Sequence, residues 1–129
     1  MSPAKSQSKA SNGTTRKKTA QFLHNPNCTT CRKAKKFMER RGYQLYYRDL
    51  VKDRLSATEL EKLIGEHDYK EFLNPRNEVY RKENMKEEPP TRKQAIRLMA
   101  KWPNLIRRPV IRAGRRVLLG FDKKEITKL

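Results

Sequence analysis

Between residues 21 and 49 the chain carries a pattern that few folds accommodate. Gln21-Phe22-Leu23-His24 is a short apolar run closed by Asn25-Pro26-Asn27. It predicts a strand ending in a turn, because Pro cannot continue a ladder and Asn favours turns. Residues 29–41 contain neither Gly nor Pro, and Ala34, Phe37, Met38 and Arg41 recur at helical spacing. An amphipathic helix follows from that period, with Gly42 as its stop signal. Residues 43–49 are rich in aromatics and alternate imperfectly, as a second strand does. A helical crossover between two strands makes them parallel, so the segment reads as a β-α-β unit.

The remainder predicts helices and then a hairpin. Ser56-Ala57-Thr58-Glu59 is a capping box before the stripe Leu60, Leu63, Ile64, with Gly65 as a stop. Residues 69–73 suit one helical turn before Asn74-Pro75, and residues 78–86 a polar, loosely packed helix. Thr91-Arg92-Lys93-Gln94 is a second capping box, opening a helix through Ala95, Ile96, Leu98 and Met99 that Pro103 must end near Trp102. Val110-Ile111-Arg112, Ala113-Gly114 and residues 115–119 read as a β-hairpin with a glycine turn. Asp122 is placed to cap a final helix.

Composition separates a tail from a domain. Leu, Ile, Val and Phe make up 25 of 129 residues, close to the level of about one-fifth below which highly charged chains stay disordered. None of the 25 lies in residues 1–20. We therefore expect a disordered basic tail over 1–20 and a thin-cored domain over 21–129. The tail lacks the apolar stretch of a secretory signal, and the apolar face of a transit peptide. No apolar run approaches the roughly 20 residues of a membrane helix. The formal charge is +18, and the tail's five basic residues leave +13 on the domain. Such a field attracts polyanions at low salt, yet no base-reading motif accompanies it.

Cys28-Thr29-Thr30-Cys31 falls where the first strand turns into the first helix. Unpaired N–H groups and the helix dipole at that position stabilise a thiolate, and Arg32, Lys33, Lys35 and Lys36 add positive charge. Both lower the pKa of Cys28 and mark it as the nucleophile. Cys31 lies one turn on, within reach to resolve a mixed disulfide. A structural zinc site, with His24 and His67 as the remaining soft ligands, and a pair of inert packed cysteines are the alternatives.

The run from Phe22 to Ala34, FLHNPNCTTCRKA, resembles the N-terminal motif of the ArsC/Spx family, thioredoxin-like and glutaredoxin-related proteins. The likeness returns in Leu105-Ile106-Arg107-Arg108-Pro109-Val110-Ile111 and in Leu118-Leu119-Gly120-Phe121. It implies an α/β fold: a thioredoxin-like mixed β-sheet flanked by helices, with an inserted helical segment. It also implies that Cys28 is the nucleophilic cysteine, Pro109 a cis-proline facing it, and Arg108 an oxyanion-binding arginine.

Within that family the sequence leans away from the arsenate reductases. Those carry an arginine at the position of Asn74, whereas here Arg76 follows two positions later, as in the Spx and YffB branches. Their third oxyanion arginine falls at Gly120, and they typically have one cysteine in the motif. The C-x-x-C form is that of Spx, whose disulfide state alters its interaction with RNA polymerase. The resemblance thus implies a thiol–disulfide redox protein with Cys28, Cys31, Arg108, Arg76 and Pro109 at its site. Its partners would be a small thiol, an oxyanion or a protein disulfide, without bound metal or organic cofactor, and glutathione or thioredoxin would be the reductant. A redox-switched regulator that binds a partner such as RNA polymerase, and a glutathione-linked arsenate reductase, are the alternatives. So reactive a thiol pair suits a cytoplasmic protein without a membrane anchor. Arg92 is a further candidate for holding an anion near the disulfide.

Overall fold

The computed structural model describes residues 18–129. Four strands form one mixed sheet: β1 (Lys18–His24), β2 (Tyr43–Asp49), β3 (Val110–Ala113) and β4 (Arg116–Leu119), in the order β2-β1-β3-β4. β1 runs parallel to β2 and antiparallel to β3, and β3 pairs antiparallel with β4. Five α-helices surround it: α1 (Thr29–Arg40), α2 (Ala57–Ile64), α3 (Glu78–Lys82), α4 (Arg92–Lys101) and α5 (Lys123–Thr127). One-turn 3₁₀ segments at Tyr69–Phe72 and Pro103–Leu105 complete the helical insertion between β2 and β3.

Alternation along the central strands creates two cores. Phe22 of β1 and Ile111 of β3 face one side, where Cys31, Ala34 and Met38 of α1 and Ile126 of α5 cover them. Leu23 and Val110 face the other, packed with Leu60 and Ile64 of α2, Phe72, and Ile96 and Met99 of α4. Burial of both faces explains why Phe22-Leu23 and Val110-Ile111 are continuous apolar pairs. Each fully buried aliphatic or aromatic side chain contributes about 1.5–3 kcal/mol to the fold.

Both capping boxes form. Ser56 accepts from the Glu59 N–H at 3.1 Å while Glu59 accepts from the Ser56 N–H at 3.0 Å. Thr91 and Gln94 do the same at 3.2 and 3.0 Å. The β3–β4 loop is Gly114-Arg115, with Gly114 at φ +62°, the left-handed start that a tight hairpin turn requires.

One boundary needs correction. Residues 18–20, assigned above to the tail, belong to β1: Lys18 pairs with Tyr43, and Ala20 is buried beneath α1. The parallel ladder with β2 recruits these residues although they contain no large apolar side chain. The rest of the proposed tail, residues 1–17, lies outside the described residues.

Candidate thiol site

Register brings the site together. Leu23 pairs with Val110, so the turn that leaves β1 and the residues that enter β3 meet at one end of the sheet. Cys28 caps α1 from extended backbone, with φ −85° and ψ 123°. Its N–H donates to the Asn25 carbonyl at 2.9 Å, and Asn25 Oδ1 accepts from the Asn27 N–H at 2.9 Å. The Asn25-Pro26-Asn27 turn therefore fixes the thiol at the first turn of the helix. Across from it lies the Arg108–Pro109 peptide, which is cis.

A third segment closes the site. Residues 72–74 run antiparallel to 105–107: Asn74 N–H donates to Leu105 at 2.8 Å and Arg107 N–H to Phe72 at 2.7 Å, around a Leu73–Ile106 bridge. Asn74 also donates through its amide to Asn104 O at 3.2 Å and accepts from the Arg76 N–H at 3.0 Å. The result is a cleft of about 870 Å³ with Cys28 in its wall. Four arginines line it, Arg76, Arg81, Arg107 and Arg108, with Glu78 as the carboxylate among its walls.

The two thiols are chemically distinct. Cys28 is half-buried, and Cys31 is 1% exposed. Burial alone would raise the Cys28 pKa, but hydrogen bonds from the Cys31 N–H and thiol, then the hydrogen bond and charge of Arg108, hold it below the ordinary thiol value. Burial, aided by the neighbouring Cys28 thiolate, pushes Cys31 up to about 12, against opposing interactions with the Asn25 backbone and the Arg108 charge. Arg108 is itself positioned: Nη1 donates to Asn104 Oδ1 at 3.2 Å. Its Nε is buried with no hydrogen-bond partner among the described residues, an unsatisfied charged donor near the thiol.

Of the residues named from sequence, Cys28, Arg76 and Arg108 line one cleft, and Cys31 lies directly behind Cys28. Pro109 is buried beneath the cleft rather than in its lining. Arg92 is elsewhere, pairing with Glu61 at 3.0 Å between α4 and α2. His24 packs against Phe22 and Tyr47, and His67 against Phe72. Among the described residues no three His, Cys, Asp or Glu side chains gather as metal ligands do.

Sequence reasoning missed Asn74 and Asn104 as braces and Arg81 and Arg107 as lining. It noted Gly120 as a lost arginine. A Cβ at Gly120 would stand 3.6 Å from Arg107 Nε and 3.8 Å from Nη2, so the Arg107 guanidinium lies against that glycine.

The model of the ArsC family matches residues 23–129. This chain belongs to the ArsC family. Among curated relatives, the global transcriptional regulator Spx of Bacillus subtilis is 30% identical over 105 residues, covering 80% of each chain. The global transcriptional regulator Spx of Streptococcus pneumoniae strain R6 is 28% identical over 103 residues, 78% of this chain and 77% of that one. Among solved structures, an ArsC family related protein from Bacteroides fragilis is 32% identical with a TM-score of 0.76, covering 85% of this chain and 97% of that one. The arsenate reductase from Vibrio cholerae shares the fold at a TM-score of 0.76 and 20% identity, with 88% and 98% covered. The thioredoxin-like α/β architecture that the resemblance implied is thus the one observed. No helix among the described residues is long and apolar enough to cross a membrane.

Proposed function

We propose that the protein is a thiol–disulfide redox protein in which Cys28 is the nucleophile and Cys31 resolves. The observation that carries this reading is the division of labour between the thiols: one half-exposed, acidified and facing a cationic cleft, the other buried one turn behind it. In an oxidised substrate RS–SR′, the Cys28 thiolate attacks one sulfur. A Cys28–S–SR bond forms, and R′S⁻ leaves and takes a proton from solvent. Cys31 then loses its proton and attacks Cys28 Sγ, releasing RS⁻. The substrate gains two electrons, and the chain ends as the Cys28–Cys31 disulfide.

The first step also prepares the second. Cys31 is held protonated partly by the Cys28 thiolate, and that charge disappears in the mixed disulfide. Arg108 and Arg76 favour anionic substrates, since a guanidinium binds oxyanions and carboxylates bidentately. A glutathione or thioredoxin system in a reducing compartment such as the cytoplasm would restore the dithiol.

A second reading is favoured by the Spx relatives: the disulfide acts as a switch on a protein contact, with RNA polymerase as the partner class, and nothing is turned over. One experiment separates the two. Purified protein is supplied with a small disulfide and a thioredoxin-coupled reductant, and turnover is compared with that of the Cys31→Ser chain. Sustained turnover that Cys31→Ser abolishes supports the redox enzyme. Stoichiometric oxidation without turnover supports the switch, and no oxidation in either chain rejects both.

A further inference from the structure

The exposed side of α1 is built from cations without carboxylate partners among the described residues, Arg32 reaching only the Pro26 carbonyl at 3.4 Å and the Thr29 hydroxyl at 3.5 Å. Arg32, Lys36 and Arg40 follow one another at four-residue spacing, about 6 Å apart along the axis, and Lys33 stands beside them. All four are exposed, on the side away from buried Cys31, Ala34 and Met38. α5 packs against the same core, and Phe121 meets Phe37 at 5.7 Å, so Lys123 and Lys124 extend the positive face. None of these six residues forms an ion pair among the described residues.

The acids on these two helices and their caps are already occupied. Glu39 accepts from the Tyr47 hydroxyl at 2.6 Å. Asp122 caps α5 through the Lys124 and Glu125 N–H groups at 3.0 and 3.3 Å. Glu125 pairs with Arg116 and Lys128. Six cations thus stand on this face against the carboxylates of Glu39 and Asp122, a net positive field.

We infer that the α1–α5 face is a docking surface for the phosphate backbone of a nucleic acid. Protein partners are held by a buried core of aromatic or aliphatic anchors. Among the described residues the exposed large apolar side chains are Tyr46, Tyr47, Val51 and Trp102, none of which belongs to α1 or α5. A surface of Arg and Lys without such anchors suits phosphates, which position a duplex without reading its sequence. Docked there, the nucleic acid lies along the helix that Cys28 caps.

The test uses the full chain and a fluorescent mixed-sequence DNA duplex, with the dissociation constant measured by anisotropy across a salt series. Each neutralised phosphate contributes roughly 0.9 to the slope of log K against log salt. Arg32→Gln/Lys36→Gln/Arg40→Gln is expected to lower that slope by roughly 2–3 and to weaken binding about ten-fold or more. Lys62→Gln/Lys70→Gln/Lys93→Gln removes equal charge from exposed positions on the opposite helical layer and is expected to leave the slope within about one contact of the parent. The exposed pair Lys33→Gln/Lys36→Gln gives an independent, milder loss, and circular dichroism checks that each chain is folded. Equal losses in both triple variants would reduce the effect to net charge and overturn the proposal. So would absence of duplex binding by the parent. Tighter binding to a poly-glutamate peptide than to DNA, lost in the same α1 variant, would assign the face to an acidic protein instead.

Discussion

Asn104 holds Arg108 at the thiol: its side-chain oxygen accepts from Arg108 Nη1 at 3.2 Å, and its carbonyl accepts from the same atom at 3.4 Å. Asn104 in turn is reached by Asn25 at 3.4 Å and by Asn74 at 3.2 Å. The segments that carry the thiol, the loop arginine and the cis-proline are therefore tied through one residue. Replacing Arg108 by Ala removes a hydrogen bond and a charge from the Cys28 thiolate, so its pKa should rise. Asn104→Ala should raise it less, because the guanidinium remains but is no longer fixed. Thiol titration by the pH dependence of alkylation checks both, and an unmoved pKa in Arg108→Ala would contradict the assignment.

Cys31 should be silent toward alkylating agents at neutral pH while Cys28 reacts. With its pKa near 12, Cys31 carries almost no thiolate there, and it is buried. Mass mapping after brief iodoacetamide treatment is expected to find label at Cys28 alone. In Cys31→Ser, a small disulfide should leave a stable mixed adduct on Cys28, whereas the parent passes on to the intramolecular disulfide. Label at both cysteines in the native chain would argue against the buried resolver.

Much of this arrangement was legible in the sequence, for a physical reason. Phe22-Leu23, the Gly- and Pro-free helix and Gly42 are local signals, and a crossover of that length dictates a parallel pair. The capping boxes at Ser56 and Thr91 are equally local. The start of β1 was not legible, because Lys18 and Thr19 are held by their register with Tyr43 and Gln44 rather than by apolar content. Nor were Arg81 and Arg107. They arrive from different elements and share a cleft only because residues 72–74 pair with 105–107, a contact without local signature. Arg92 shows the converse, a residue at a suggestive position whose charge is taken by Glu61.

Arg107 should matter for anionic substrates more than for neutral ones. It lines the cleft beside Gly120, where a Cβ would lie in ordinary contact with its guanidinium and any side chain would have to adopt a positive φ of 78°. Arg107→Ala should raise KM for a carboxylate-bearing disulfide several-fold, leaving a neutral disulfide nearly unaffected. Arg107 is exposed, so stability should change by less than about 0.5 kcal/mol. Equal effects on both substrates would place Arg107 outside the binding event.

The Arg48–Glu59 pair predicts an acid-sensitive contribution to stability. Arg48 donates to Glu59 at 2.7 and 3.0 Å, and its hydrogen bond is the leading cause that holds the Glu59 carboxyl down at about 2. A carboxyl depressed in the folded state stabilises above its unfolded pKa of about 4.3. That contribution is lost as pH falls from there toward 2. With both side chains partly exposed, it should amount to about 0.5–1 kcal/mol. Glu59→Gln keeps the capping-box acceptor but removes the charge, so denaturant unfolding of the variant should lose this part of the pH dependence between about 4 and 2.

The central claim is that Cys28 is an activated thiol and Cys31 its buried partner. The most direct test is the pKa of Cys28 in Cys31→Ser, followed by thiolate absorbance, since serine keeps both a backbone and a side-chain donor. The account predicts a value well below the free thiol's, about 8.5, and a reversible Cys28–Cys31 disulfide in the parent. An ordinary or raised pKa, with no reversible disulfide, would contradict it.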